Sequence, residues 1–163
     1  MAGTYTIQQT SQTHVKDKNG QDIDGLCIWC YKIIYDSGGP RPDKDALDGE
    51  WRITGVSGVL DPAGAELTAP DVDPATVPKY TLSGKNVDFA KQPVHPDPND
   101  KPPPNGFGNL TWIIICFVVK CGAAGTVRIE VMRKEPDHKN FAAVKLKDHD
   151  HLKDNEKAVQ GPK

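Results

Sequence analysis

No apolar run in this sequence is long enough to cross a bilayer, no excess of basic charge is present, and no amphipathic helical period lasts beyond two turns. Each absence removes a class of function. The longest apolar stretch, Trp112 to Val119, falls far short of the roughly 20 residues that a spanning helix needs, so no membrane span is expected. With 20 Lys and Arg against 22 Asp and Glu the formal charge is -2, and nothing forms the basic stripe that neutralises phosphates. Nucleic acid is therefore not an expected partner. The first residues, Met1 to Gln9, lack a basic segment followed by an apolar one. Cytoplasmic synthesis is the default expectation, although a mature secreted chain would read the same.

Proline and glycine are plentiful instead, 14 and 15 of 163 residues, which suits many short strands joined by turns. A chain of this length forms one domain and buries roughly two-thirds of its unfolded surface without a metal or a disulfide. The strongest signals are two oily segments, Leu26 to Tyr35 and Leu110 to Lys120. Both are rich in β-branched and aromatic residues on both faces, which pack well on a pleated surface and lose rotamer freedom in a helix. They predict central strands lying side by side. Thr126 to Met132 alternates, with Val127, Ile129 and Val131 on one side, so it reads as a half-buried strand. Joined to Leu110–Lys120 through Gly122-Ala123-Ala124-Gly125, it predicts a hairpin.

Weaker strands are expected over Thr4 to Lys16, around Trp51 and Ile53, and on either side of Ser83-Gly84-Lys85-Asn86. Asp17-Lys18-Asn19-Gly20 supplies the positive φ of a tight turn. Ala63 to Pro78 is interrupted by prolines that remove ladder donors. Gln92 to Asn109 is a Pro-rich connection longer than a compact domain normally carries. Phe141 to Leu146 reads as a last strand. The expected fold is all-β: a two-sheet antiparallel β-sandwich, jelly-roll-like, of about eight strands with long Pro-rich loops, occupying residues 1–147. Residues 148–163 read as a charged, frayed tail.

The chemical motifs are sparse. Cys27-x-x-Cys30 and Cys116-x4-Cys121 have the composition of a four-thiolate zinc site, but in a strand residues three or five apart face opposite ways, which separates the sulfurs. These cysteines are expected as small core residues or, in an exported protein, as a cross-strand disulfide. His95, Asp97, Asn99 and Asp100 place ligand atoms on the long Pro-rich loop, and Asp71 and Asp73 place two more on another. Calcium takes six to eight such oxygens, so a loop-borne cation that recognises sugar hydroxyls is one reading. Asp148-His149-Asp150-His151 offers a surface metal clip as another.

Two short stretches carry family resemblances. Asp36-Ser37-Gly38-Gly39-Pro40 resembles the nucleophile motif of trypsin-like serine proteases, but the one histidine before Ser37 is His14, with no room for a barrel between them, and the protease is rejected. Gly49-Glu50-Trp51 resembles the Gly-x-Trp signature of lipocalins, which marks Trp51 as a ligand-facing candidate.

No nucleophile–base set, phosphate loop or carboxylate pair stands out. The function read from the residues is a non-catalytic β-sandwich that binds a protein or glycan, or assembles with itself as a homo-oligomer, through its surface and loops. Two alternatives stand beside it: a lectin-like, calcium-assisted carbohydrate-binding protein, and a small-ligand barrel or enzyme whose pocket is drawn from distant residues. No cofactor and no bound metal are expected.

Overall fold

A computed structural model describes residues 3–38, 46–96, 110–136, 139–150 and 153–162. The protein is an all-β sandwich of two antiparallel sheets packed together. Among the described residues ten strands are found: β1 (Thr4–Lys16), β2 (Asp22–Asp36), β3 (Glu50–Thr54), β4 (Thr81–Ser83), β5 (Asn86–Phe89), β6 (His95–Pro96), β7 (Leu110–Lys120), β8 (Ala124–Lys134), β9 (Ala142–Ala143) and β10 (Glu156–Pro162). One sheet runs β1-β2-β7-β6. The other runs β10-β8-β3-β5-β4, with β9 also on β8.

The doubly apolar segments are neighbours, as their composition predicts. Strand β2 pairs with β7 over an unbroken register from Leu26↔Lys120 to Asp36↔Leu110. Their inward rows, Trp29, Tyr31, Ile33 and Tyr35 on β2 and Ile113, Ile115, Phe117 and Val119 on β7, are buried. They face Trp51, Ile53, Val87, Phe89, Ile129 and Val131 of the second sheet, all buried too. Tyr31 joins the layers directly, its hydroxyl donating to the Gln160 carbonyl at 2.8 Å. Tyr5 crosses between them to meet Trp51 edge-on, with ring centroids 5.8 Å apart.

The turn at Asp17–Gly20 forms as predicted. Asp17 Oδ1 accepts from the Asn19 and Gln21 amides, and Gly20 takes φ 80°, a conformation that costs a residue with a Cβ far more than glycine. Strands β4 and β5 make the small hairpin expected around Gly84.

Two expectations are overturned. β7 and β8 do not form a hairpin: β7 pairs with β2 and β6, whereas β8 pairs with β3 and β10. The link through Gly122 carries the chain from one sheet to the other. A strand apolar on both faces gains most in a sheet interior, and β2 and β6 take its two edges. The frayed tail is the second correction, because residues 156–162 form β10 and pair with β8 from Glu156↔Glu130 to Pro162↔Ala124. One buried row, Val159 and Gly161, is enough to hold an edge strand whose other side is wet, so a polar composition does not prevent it. Asn155 anchors the entry to this strand by donating from Nδ2 to the Val131 carbonyl at 3.2 Å.

Candidate functional site

Two bridges staple the β2–β7 pair. Cys30 is joined to Cys116 and Cys27 to Cys121, and all four cysteines are engaged. Alternation along the strands places the bridges on opposite faces of the sheet, as the spacing argument requires. The four sulfurs therefore do not converge on one ion. The Cys27–Cys121 bridge lies at the end of the ladder near His14, whose Nε2 is 3.7 Å from Cys27 Sγ.

The outward face of the same sheet is partly apolar. Ile34, Trp112, Cys30 and Cys116 are half-buried there, and Ile114, 37% exposed, is the large apolar side chain most open to solvent among the described residues. His95 stacks on the Trp112 ring at 4.4 Å between centroids, and the Lys32 ammonium lies 4.4 Å from the same ring. The β6–β7 pairing, which sets His95 opposite Trp112, holds this stack in place.

A groove of about 960 Å³ lies between the loop from Pro62 to Tyr80 and the region of β3 and β5. Its lining is mostly apolar: Leu67, Ala69, Val72, Val77, Tyr80 and Phe89, with several prolines. The loop wall is pinned locally. Asp73 caps the 3-10 turn Pro74–Thr76 by accepting from the Ala75 amide, and Thr76 Oγ1 accepts from the Lys16 amide at 3.1 Å. Prolines suit such a wall because their fixed φ lowers the entropy lost on ordering it. Tyr80 ties the floor to β7, donating to the Leu60 carbonyl at 2.5 Å and accepting from the Val118 amide at 3.2 Å. Burial pushes its hydroxyl up to about 12, so it stays neutral.

Charged groups line the rim. Glu50 is paired with Lys134 at 2.6 Å, Asp88 takes two hydrogen bonds from Arg52 at 2.6 and 2.9 Å, and Lys91 is held by Asp48 at 2.9 Å. That contact draws the Asp48 carboxyl below its ordinary range. Lys18 and Lys79 also line the groove, and among the described residues neither side chain is in an ion pair.

The residues singled out from sequence do not assemble into one site. Trp51 is fully buried, and its indole N–H donates to the Leu47 carbonyl at 3.1 Å; it is a core residue and offers no face to a ligand, which corrects its reading as a binding residue. His95 sits on the outer sheet face. Asp97, Asn99 and Asp100 lie outside the described residues. Asp71 and Asp73 serve the backbone, through the Asp71 carbonyl and the Asp73 cap. His149 Nδ1 is 2.8 Å from the Asp150 carbonyl oxygen and its Nε2 is 3.5 Å from Asp154. Ser37 and His14 lie far apart along β2, since His14 pairs with Cys27 and Ser37 follows Asp36, so they form no catalytic pair.

Sequence reasoning missed the groove, whose lining spans Lys18 to Gln92 with no local motif, and it missed the placing of His14 beside a bridge. Comparison with protein-family models, with curated proteins and with solved structures finds no match for this chain.

Proposed function

We propose that the protein is a non-catalytic binding module whose groove seats an elongated apolar molecule with an anionic end, of the fatty-acid type. The observation that carries this reading is the groove itself: about 960 Å³ in volume, apolar along its floor, with the ammonium groups of Lys18 and Lys79 at its rim, neither in an ion pair among the described residues. That volume suits a small-molecule ligand, and a few charged groups around an apolar floor are the usual means of fixing its orientation. A catalytic role has little support. Among the described residues the lining has no histidine, cysteine or serine, Glu50 and Asp88 are held in ion pairs, and the Tyr80 hydroxyl is spent on two backbone bonds.

The test is a titration with a fluorescent long-chain fatty acid. Saturable one-to-one uptake is expected, weakened about tenfold in a Lys18→Ala/Lys79→Ala double variant and lost in Ala69→Trp, which fills the groove; tenfold corresponds to about 1.4 kcal/mol. If the wild type takes up no probe saturably, the reading fails.

A second reading, self-association, rests on the outer sheet face. Ile34, Trp112 and Ile114 form a small apolar patch there, with Ile114 37% exposed and the other two half-buried. A second copy is the proposed occupant, and Ile114→Asp should abolish any concentration dependence of the mass by light scattering. A glycan is less favoured as a partner, because Trp29 and Trp51 are buried and the Trp112 ring is already engaged by His95 and Lys32. Two disulfides favour an oxidising compartment over the cytoplasm as the place of work.

A further inference from the structure

We infer that the end of the β1–β2–β7 sheet holds a redox-gated metal site: once the Cys27–Cys121 bridge is reduced, His14, Cys27 and Cys121 bind one zinc-class divalent cation. The ligand atoms of these three residues all lie within 4.8 Å of one another. His14 Nε2 and Cys27 Sγ are already 3.7 Å apart, close to the roughly 3.5 Å edge of a tetrahedron built from Zn–S of about 2.3 Å and Zn–N of about 2.0 Å. Opening the bridge lets the two sulfurs separate to the roughly 3.7 Å that the same geometry requires. Two thiolates and one imidazole leave a fourth position for water, and Cys121 is exposed, so an ion has a way in.

The surroundings favour this use of the imidazole. Asp22 lies 3.8 Å from His14 Nδ1, on the side away from the sulfur. A carboxylate behind the distal nitrogen orients a metal-binding histidine and raises its basicity. The backbone holds the ligands once the bridge opens. The β2–β7 ladder runs on to Leu26↔Lys120, and the Cys121 amide donates to the Gly25 carbonyl at 2.9 Å. On the third strand, β1 sets His14 opposite Cys27.

The chemistry balances with a dithiol as reductant. The dithiol transfers two electrons and two protons to the Cys27–Cys121 bond, giving two thiols and its own disulfide. The cation then displaces those two protons to solvent and binds two thiolates, while neutral His14 contributes its lone pair and releases nothing. A disulfide of the same class as the oxidised dithiol takes the two electrons back, together with two protons from solvent, to become a dithiol; the Cys27–Cys121 bond re-forms and the ion is expelled. This inference does not depend on what the groove binds.

Cobalt(II) is the probe, added to protein treated with a dithiol and freed of excess reductant. One equivalent is expected to produce a thiolate-to-cobalt charge-transfer band, absent from the oxidised protein and bleached by one equivalent of zinc. Cys27→Ser should abolish the band, His14→Ala and His14→Gln should each weaken cobalt binding at least tenfold, and Asp22→Asn should weaken it by about tenfold. Cys30→Ser/Cys116→Ser should retain it. The circular dichroism of the wild type and of each variant after dithiol treatment checks that the sheet is intact in the state in which the band is read. A reduced wild type without the band, a band indifferent to both His14 substitutions, or one that follows Cys30 and Cys116 would each overturn the inference.

Discussion

Cys30 and Cys116 stand directly opposite each other in the β2–β7 ladder with their Cα atoms 4.2 Å apart, the close spacing of a non-hydrogen-bonded antiparallel pair. The second bridge, Cys27 to Cys121, spans nearly the same length of chain: sequence separations of 86 and 94 residues. The two are therefore not independent. Either one alone closes the long loop, worth about 4.6 kcal/mol by chain entropy, and the other then closes a small additional ring of about eight residues worth about 2.5 kcal/mol.

The expected outcome is a non-additive pair of losses. Removing one bridge, by Cys30→Ser/Cys116→Ser or by Cys27→Ser/Cys121→Ser, should cost about 2.5 kcal/mol, and removing both should cost about 7 kcal/mol, more than twice as much. Urea unfolding of the three variants measures it. Equal contributions that simply add would show that the bridges constrain separate parts of the unfolded chain.

The central strands were legible because their signal is local: an unbroken apolar run has nowhere to go but the middle of a sheet. The alternation of Thr126 to Val131 was legible for the same reason. Strand pairing was not, because Gly122-Ala123-Ala124-Gly125 serves a tight hairpin or a crossing between sheets equally well. The site at His14 was hidden by geometry of another kind. Register shifts between Gln9 and Ser11 and between His14 and Lys16 move the pairing, and counting back from Lys16↔Asp22 without the nearer shift would set His14 against Asp24 instead of Cys27. An irregularity of that sort, three extra residues on the β2 side, leaves no mark in composition. The groove is invisible for a third reason, since its lining comes together only when the Pro62–Tyr80 loop folds back on the sheet.

Beside the groove, Arg52 and Asp88 form a two-pronged ion pair with both side chains largely withdrawn from solvent, at 22% and 18% exposure. The pair raises the Arg52 pKa above its ordinary value, chiefly through the Asp88 hydrogen bonds. Phe141 lies against the guanidinium, 4.0 Å from ring centroid to Cζ. A lysine cannot reproduce either the fork or the stacked plane. Arg52→Lys should therefore cost about 1 kcal/mol, and Asp88→Asn about 1 to 2 kcal/mol, with a double-mutant cycle giving coupling of similar size. Zero coupling would mean that Arg52 contributes through its contact with Phe141 alone.

Two buried hydroxyls make the fold less stable at alkaline pH. Burial raises the pKa values of both Tyr31 and Tyr80, the latter to about 12, against roughly 10 in an unfolded chain. Between those values the folded state keeps protons that the unfolded state gives up, so unfolding stability falls as pH rises. The contribution is complete below about pH 10 and is lost as pH passes through about 12, at about 1 kcal/mol per pH unit for each tyrosine. Urea midpoints at about pH 9 and about pH 11 measure the loss. Tyr80→Phe should make the slope shallower while lowering stability at neutral pH by about 1 to 3 kcal/mol, because the Leu60 carbonyl and the Val118 amide lose their partner. An unchanged slope would place the late titration elsewhere.

The C-terminal strand depends on a residue with no side chain. Gly161 is buried in β10, and a Cβ built there would collide with the Val127 side chain and come within 2.8 Å of the Tyr31 hydroxyl oxygen. That hydroxyl is the one that bonds Gln160 across the sandwich, so the same crowding breaks the bond between the layers. Gly161→Val should cost about 1 to 3 kcal/mol, as overpacking does, and should loosen β10 before the rest of the fold, since β10 is held by one neighbouring strand. Limited trypsin digestion should then cut at Lys157 faster than in the wild type, while Ala158→Val, on the exposed row of the same strand, should change stability by no more than about 0.5 kcal/mol. Equal behaviour of the two variants would show that β10 is held by its ladder to β8 alone, and that the close approach of Gly161 to Tyr31 contributes nothing.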